Sequence, residues 1–72
     1  MAETVYQESG ESNGIEWQVT VQEKSNGRFY ALVQAGKWSA FTPDLDTLED
    51  AKKMGKGYAA NMVAELEELR DD

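Results

Sequence analysis

The chain has 72 residues, no cysteine, no histidine and a formal net charge of −7. This length gives one domain near the lower limit for a core without disulfides, and the missing histidine removes the commonest general base and metal ligand. We therefore expect neither an enzyme nor a cofactor, and the acidity disfavours binding to nucleic-acid phosphates and to anionic membranes.

Residues 1–14 form a polar, acidic segment, MAETVYQESGESNG, that contains no basic residue. It lacks the basic start and apolar run of a signal peptide, so a cytoplasmic location is expected. A segment so poor in apolar residues buries too little surface to order itself. We therefore predict a flexible acidic tail over 1–14 and a single domain over 15–72. In the alternative, Val5 and Tyr6 add an edge strand to the domain or dock on a partner.

The next segment, IEWQVTVQ, alternates apolar and polar residues and predicts a strand with one buried face. A second strand, RFYALVQ, follows the turn KSNG. With a three-residue loop Val21 pairs with Ala31, and Val19 pairs with Val33. That loop also places Gly27 in the left-handed position that such a hairpin needs. A two-residue loop would set a valine opposite a glutamine, so the hydrophobic pattern selects the three-residue loop.

A third strand is predicted after a two-residue turn at 35–36, which pairs Val33 with Trp38, and this strand ends at Pro43. The predicted buried face comprises Trp17, Val19, Val21, Phe29, Ala31, Val33, Trp38 and Ala40. The opposite face holds three large apolar or aromatic side chains among polar ones.

The remainder of the chain predicts a helix on the buried face. Thr47 is a suitable N-cap, and Asp50 three positions later completes a variant of the capping box. Apolar or small residues recur at spacings of three and four: Leu48, Ala51, Gly55, Tyr58, Met62, Leu66 and Leu69. The element order is β-β-β-α. It predicts an α+β fold, a three-stranded antiparallel meander with one C-terminal helix packed on one face.

The segment DAKKMGKGYAANM has the composition of a phosphate-binding loop but not the spacing of one. Ala51, Gly55 and Ala59 instead form a strip of small residues that lets the helix approach the sheet closely. The lysines at positions 52, 53 and 56 then lie on the solvent face, where an anion site remains the alternative to a solvated charge run.

The candidate site lies on the sheet face opposite the helix. Tyr30 and Phe41 are expected to be cross-strand neighbours there, with Leu32 beside them. The rim is predicted to carry Lys24, Arg28 and Lys37. An exposed apolar patch with a polar border often marks an interaction site. In the alternative, the N-terminal tail folds over the patch.

These features predict a small acidic, non-enzymatic protein-binding module, such as a phage-encoded or accessory protein that regulates or inhibits a host protein. The acidic C-terminal segment AELEELRDD would engage a basic partner. One alternative is a nucleic-acid reader in which Tyr30 and Phe41 stack on bases and the rim cations hold phosphates. A second alternative is a homodimer whose interface is the open sheet face.

Two segments resemble known families. FTPDLDTLEDA is similar to the part of HicB-type antitoxins in which a strand end leads into a threonine-capped helix. GRFYALVQAGKWSAFTPDLDTLEDAKK is similar in rhythm to the three-stranded arm-binding domains of phage integrases. The resemblances imply the nucleic-acid-binding alternative.

Overall fold

The computed structural model describes residues 2–70. The elements are β1 (Glu3–Ser12), β2 (Ile15–Glu23), β3 (Phe29–Ala35), β4 (Trp38–Phe41) and α1 (Leu48–Arg70). The strands form one antiparallel sheet in the order β1-β2-β3-β4, and α1 packs on one face, mainly against β2 and β3. The α+β class and the single C-terminal helix are confirmed. No helix within this range is long and apolar enough to cross a bilayer.

The sheet has four strands, so the prediction of three was wrong. Residues 3–12, expected to be a flexible tail, form β1 and pair with β2 along its length. The turn between them is Asn13-Gly14, with φ angles of 54° and 83°. Positive φ at both turn residues is typical of the type I′ hairpin turn that Asn-Gly favours. Order comes from backbone pairing with β2, which the composition of the tail did not reveal. The alternative that Val5 and Tyr6 add an edge strand describes this segment.

The β2–β3 register follows the prediction. Val21 pairs with Ala31, and Val19 pairs with Val33. The loop is closed by hydrogen bonds in which the amides of residues 24 and 27 donate to the carbonyls of residues 28 and 24, at 2.8 and 2.9 Å. Gly27 has a φ of 84°, the left-handed conformation that the three-residue loop requires.

The β3–β4 register differs from the prediction by two residues. Trp38 pairs with Ala35 rather than Val33, and the turn is Gly36-Lys37. Gly36 has a φ of 57°, and the first position of a two-residue type II′ turn favours glycine for this reason. Because the shift is even, every β4 side chain stays on its predicted face.

The core lies between α1 and the two central strands. Val19, Val21, Ala31 and Val33 are fully buried beneath the helix. A Cβ at Gly55 would lie 2.6 Å from Cγ1 of Val19, so the helix backbone rests directly on the sheet. Ala51 and Ala59 are also buried, which confirms the predicted strip of small residues. At the start of the helix, the amide of Asp50 donates to Oγ1 of Thr47 at 3.1 Å, as the capping box requires.

Residues 42–45 complete the outer edge of β3 beyond the end of β4. The amide of Thr42 donates to the carbonyl of Ala31, and the amide of Ala31 donates to Oγ1 of Thr42, both at 2.9 Å. Phe29 and Leu45 exchange two further backbone hydrogen bonds. The backbone of β3 is therefore paired on both sides, even though β4 has only four residues.

Candidate protein-binding surface

Tyr30, Leu32 and Phe41 lie together on the sheet face opposite the helix, as predicted, and are called the aromatic patch below. The ring centroids of Tyr30 and Phe41 are 5.8 Å apart, with the planes tilted by 52°. Leu32, and not Tyr30 as predicted, is the direct cross-strand partner of Phe41, because the β3–β4 register is shifted by two residues. Phe41 is 64% exposed, whereas the other two side chains are half-buried. The open face of the sheet thus presents the exposed Phe41 ring to solvent, beside the half-buried side chains of Tyr30 and Leu32.

The face around the aromatic patch is polar and is not covered by the N-terminal segment. Thr20 lies opposite Leu32, and Gln22 lies opposite Tyr30. The alternative in which the tail folds over the patch is not what the structure shows, since residues 3–12 lie within the sheet. The patch therefore has the polar border typical of an interaction site.

The three rim cations do not form a common cluster. Lys24 pairs with Asp44 at 2.8 Å. Arg28 pairs with Asp46 at 3.3 Å and donates a second bond to the carbonyl of Asp44. Lys37 occupies the turn at the other end of the sheet and makes no ion pair with the side chains described. Two of the three cations thus have carboxylate partners within the chain.

Two glutamate pairs face each other directly across β1 and β2. Glu11 lies opposite Glu16 on the open face, and Glu3 lies opposite Glu23 on the other. None of these four carboxylates has a cationic partner among the described side chains. Like charges directly opposite in a sheet are destabilising. Sequence reasoning missed this feature because it depends on β1, which the Asn-Gly dipeptide at 13–14 would have indicated.

A cleft of about 380 Å³ separates β1 from α1. Its lining includes the Trp17 side chain and four small helix residues: Ala59, Ala60, Val63 and Ala64. Lys56 Nζ and Glu8 Oε1, 3.1 Å apart, join the helix to β1 beside it. Asn13 donates a hydrogen bond to Glu67 farther along the helix. This cleft also follows from β1 and was not predicted.

The Glu8 carboxylate is the best-satisfied charge on β1. It accepts a hydrogen bond from the Tyr6 hydroxyl and pairs with Lys56. These two contacts hold the pKa of Glu8 below its usual range, and the hydrogen bond from the Tyr6 hydroxyl has the larger effect. The same contacts raise the pKa of Tyr6 and of Lys56, because each group keeps its proton beside a carboxylate.

Two of the three helix lysines have carboxylate partners within the chain. Lys52 pairs with Glu49 at 3.6 Å and lies 4.3 Å from the centroid of the Tyr6 ring. Lys56 pairs with Glu8, and Lys53 makes no ion pair in the described part of the chain. Residues 2–69 also hold no group of three or more acidic side chains placed to bind a metal ion.

Comparison with models of known protein families, with curated proteins and with solved structures finds no match to this chain. The features of the chain that bear on its function are the open sheet face, the charges and the sheet edges.

Proposed function

We propose that this chain is a small protein-binding module that contacts its partner with the open face of its sheet. The observation that carries the proposal is the aromatic patch: Phe41 is 64% exposed and contacts the tilted ring of Tyr30 on a face that no described element covers. Aromatic side chains supply a large contact area at low entropic cost and dominate many protein interfaces. As a non-enzymatic module, it would regulate or inhibit its partner by occupying a surface of it.

The charge distribution supports a basic protein as the partner. The chain carries a net charge of −7. Glu11 and Glu16, which have no cationic partner among the described side chains, lie on the same face as the aromatic patch. Complementary charge around an apolar contact accelerates association and excludes wrong partners. A surface with an apolar groove and a lysine- or arginine-rich border matches these features.

Nucleic acid fits this face less well. A base-stacking sheet needs free cations near its aromatic residues to neutralise phosphates. Lys24 and Arg28 instead pair with Asp44 and Asp46. If either cation left its carboxylate to bind a phosphate, that carboxylate would remain close to the phosphate and repel it. The ion pairs therefore disfavour this alternative.

A capture experiment with matched variants tests the proposal. The tagged protein is incubated with nuclease-treated lysate of the source cells, and retained proteins are identified by mass spectrometry. Phe41→Ser removes the exposed ring, and Trp38→Ser is the control, because Trp38 is 39% exposed on the same strand but on the opposite face of the sheet. The captured protein is then purified, and its affinity for each variant is measured by calorimetry.

We expect the affinity to fall at least about tenfold in Phe41→Ser, as for a central aromatic contact, and to change little in Trp38→Ser. Equal affinities of the two variants would contradict the proposed surface. Sedimentation of the protein alone provides a second check. A stable dimer that Phe41→Ser dissociates would assign the open face to self-association instead.

A further inference from the structure

The two edge strands of the sheet differ in length. At the β4 edge, the strand has only four residues, and residues 42–45 then continue the pairing with β3. At the β1 edge, the strand has ten residues. Within residues 2–70, no group outside β2 forms a hydrogen bond with the β1 backbone. A long strand with one unpaired edge is a template for a further strand.

The charges on β1 indicate what kind of strand would fit. Glu3 and Glu11 lie near its two ends, each directly opposite a second glutamate on β2. Glu8, between them, is neutralised by Lys56 within the chain. The two outer positions thus combine an open backbone edge with uncompensated negative charge.

We infer that β1 accepts an additional antiparallel strand from a basic segment of the partner, whose lysines or arginines lie opposite Glu3 and Glu11. Backbone hydrogen bonds to the β1 edge would supply the docking geometry. A cation beside Glu11 would also reduce its repulsion with Glu16. This inference rests on the proposed function, since it names the chemistry of the protein partner and a second surface that it contacts.

A second copy of the chain fits this edge poorly. β1 carries Glu3, Glu8 and Glu11 and no lysine or arginine, so pairing two β1 strands would bring like charges together. Charge complementarity therefore favours a basic strand.

The probe is a synthetic peptide, Lys-Lys-Thr-Val-Thr-Val-Thr-Lys-Lys, added to the full chain at low ionic strength. Because two lysines are adjacent at each end of the peptide, one or the other can lie opposite a glutamate of β1. One control peptide has glutamate in place of every lysine. A second keeps the lysines but carries N-methyl groups on all internal amides, which removes its backbone donors without changing its charge. Binding is followed by backbone amide shifts and by amide hydrogen exchange.

We expect the lysine peptide to shift β1 amides and slow their exchange, and to bind at least tenfold more tightly than either control. The double variant Glu3→Gln/Glu11→Gln should weaken binding about fivefold, as for two surface ion pairs. Asp46→Asn/Asp50→Asn makes the same change of net charge at two exposed positions around the start of the helix and should leave the affinity unchanged.

Undiminished binding of the N-methylated peptide would overturn the inference, because attraction between its lysines and the acidic protein would then explain binding without backbone hydrogen bonds. An equal effect of the two double variants, or shifts located away from β1, would also overturn it. The proposed function is tested separately by Phe41→Ser. If capture of a partner depends on Phe41 while the peptide fails to bind β1, the edge inference fails and the binding face stands.

Discussion

The indole ring of Trp17 lies against the backbone of Gly10, its direct cross-strand partner on β1. A Cβ at position 10 would fall 2.7 Å from Cζ2 of the ring and 2.9 Å from Cε2. Glycine at this position therefore leaves room for an aromatic side chain that also lines the cleft between β1 and α1. An aromatic residue that covers a glycine on an edge strand helps to fix the register of the pair.

We predict that Gly10→Ala displaces the Trp17 ring and lowers the free energy of unfolding by about 1 kcal/mol. Overpacking costs about 1–3 kcal/mol. The smaller conformational entropy of alanine in a strand offsets roughly 0.5–1 kcal/mol of this cost. Urea unfolding gives the stability, and tryptophan fluorescence reports the ring.

Both measurements should be made in a Trp38→Phe background, so that the emission comes from Trp17 alone. The expected change is a shift of the folded-state emission towards that of water-exposed indole. An unchanged spectrum together with increased stability would show that the ring does not depend on the glycine.

The two helix glycines Gly55 and Gly57 should respond oppositely to alanine. A Cβ at Gly55 would meet Val19 Cγ1 at 2.6 Å and the Cβ of Ala31 at 3.1 Å, both fully buried on the sheet. A Cβ at Gly57 meets no atom within 4 Å. Gly55→Ala should destabilise the fold by about 1–2 kcal/mol, because overpacking exceeds the gain in helix propensity. Gly57→Ala should stabilise it by up to about 1 kcal/mol.

Thermal or urea unfolding of the two variants against the parent chain checks both signs. The pair controls for helix propensity, because the substitution is the same and the sites are two residues apart. Equal stabilisation by both alanines would mean that the helix backbone at Gly55 is not in close contact with Val19. Nothing in the contacts of Gly57 explains why glycine is present there.

The features predicted correctly from sequence are those that a turn or capping residue specifies together with the spacing of apolar residues. Gly27 needs a positive φ, and a one-residue slip would expose the buried valines, so the β2–β3 register had a single solution. Thr47 likewise combines a capping side chain with a downstream helical period. The face of the aromatic patch was also predicted correctly, because strand side chains alternate between faces and the error in the β4 register was an even number of residues.

The features that were missed depend on an edge strand that buries little apolar surface. β1 is ordered by pairing with β2 and by the Asn13-Gly14 turn. The average composition of a segment indicates only how much apolar surface that segment can bury. The opposed glutamates, the cleft and the open edge all follow from β1. The register of β4 was missed for a different reason, since glycine at 36 suits the first position of the turn rather than the second.

Removing one glutamate from the Glu11–Glu16 pair should stabilise the protein. The two carboxylates are directly opposite on the exposed face, without a cationic partner among the described side chains. We expect Glu16→Gln to raise the free energy of unfolding by about 0.2–1 kcal/mol at low salt, and less at high salt, where exposed charges are screened.

Ser39→Lys is the matched control for this prediction, because it changes the net charge by the same one unit at an exposed position opposite Gln34. Urea unfolding at two salt concentrations gives the comparison. If both variants stabilise equally, the gain reflects the net charge of the whole chain and not the opposed pair.

The pKa of Glu8 should rise when the Tyr6 hydroxyl is removed. In the folded chain this hydroxyl, and then Lys56, hold the Glu8 pKa below the ordinary glutamate value of about 4.3. Tyr6→Phe deletes the larger of the two contacts and retains the ring, so the midpoint should move towards the ordinary value without reaching it. A titration of the Glu8 side-chain carboxyl by NMR measures this midpoint directly. Lys53→Gln is the control, because this exposed lysine makes no ion pair with the described side chains.

The shift also sets a sign for the dependence of stability on pH. Because the folded pKa of Glu8 lies below the unfolded one, its contribution is complete above the unfolded value of about 4.3 and is lost as the pH falls through the folded value. Tyr6→Phe should therefore lose less stability than the parent chain when the pH is lowered from about 6 to below the folded pKa. Parallel stability curves for the two chains would show that the Tyr6–Glu8 hydrogen bond is not maintained in solution, even if the rest of β1 is intact.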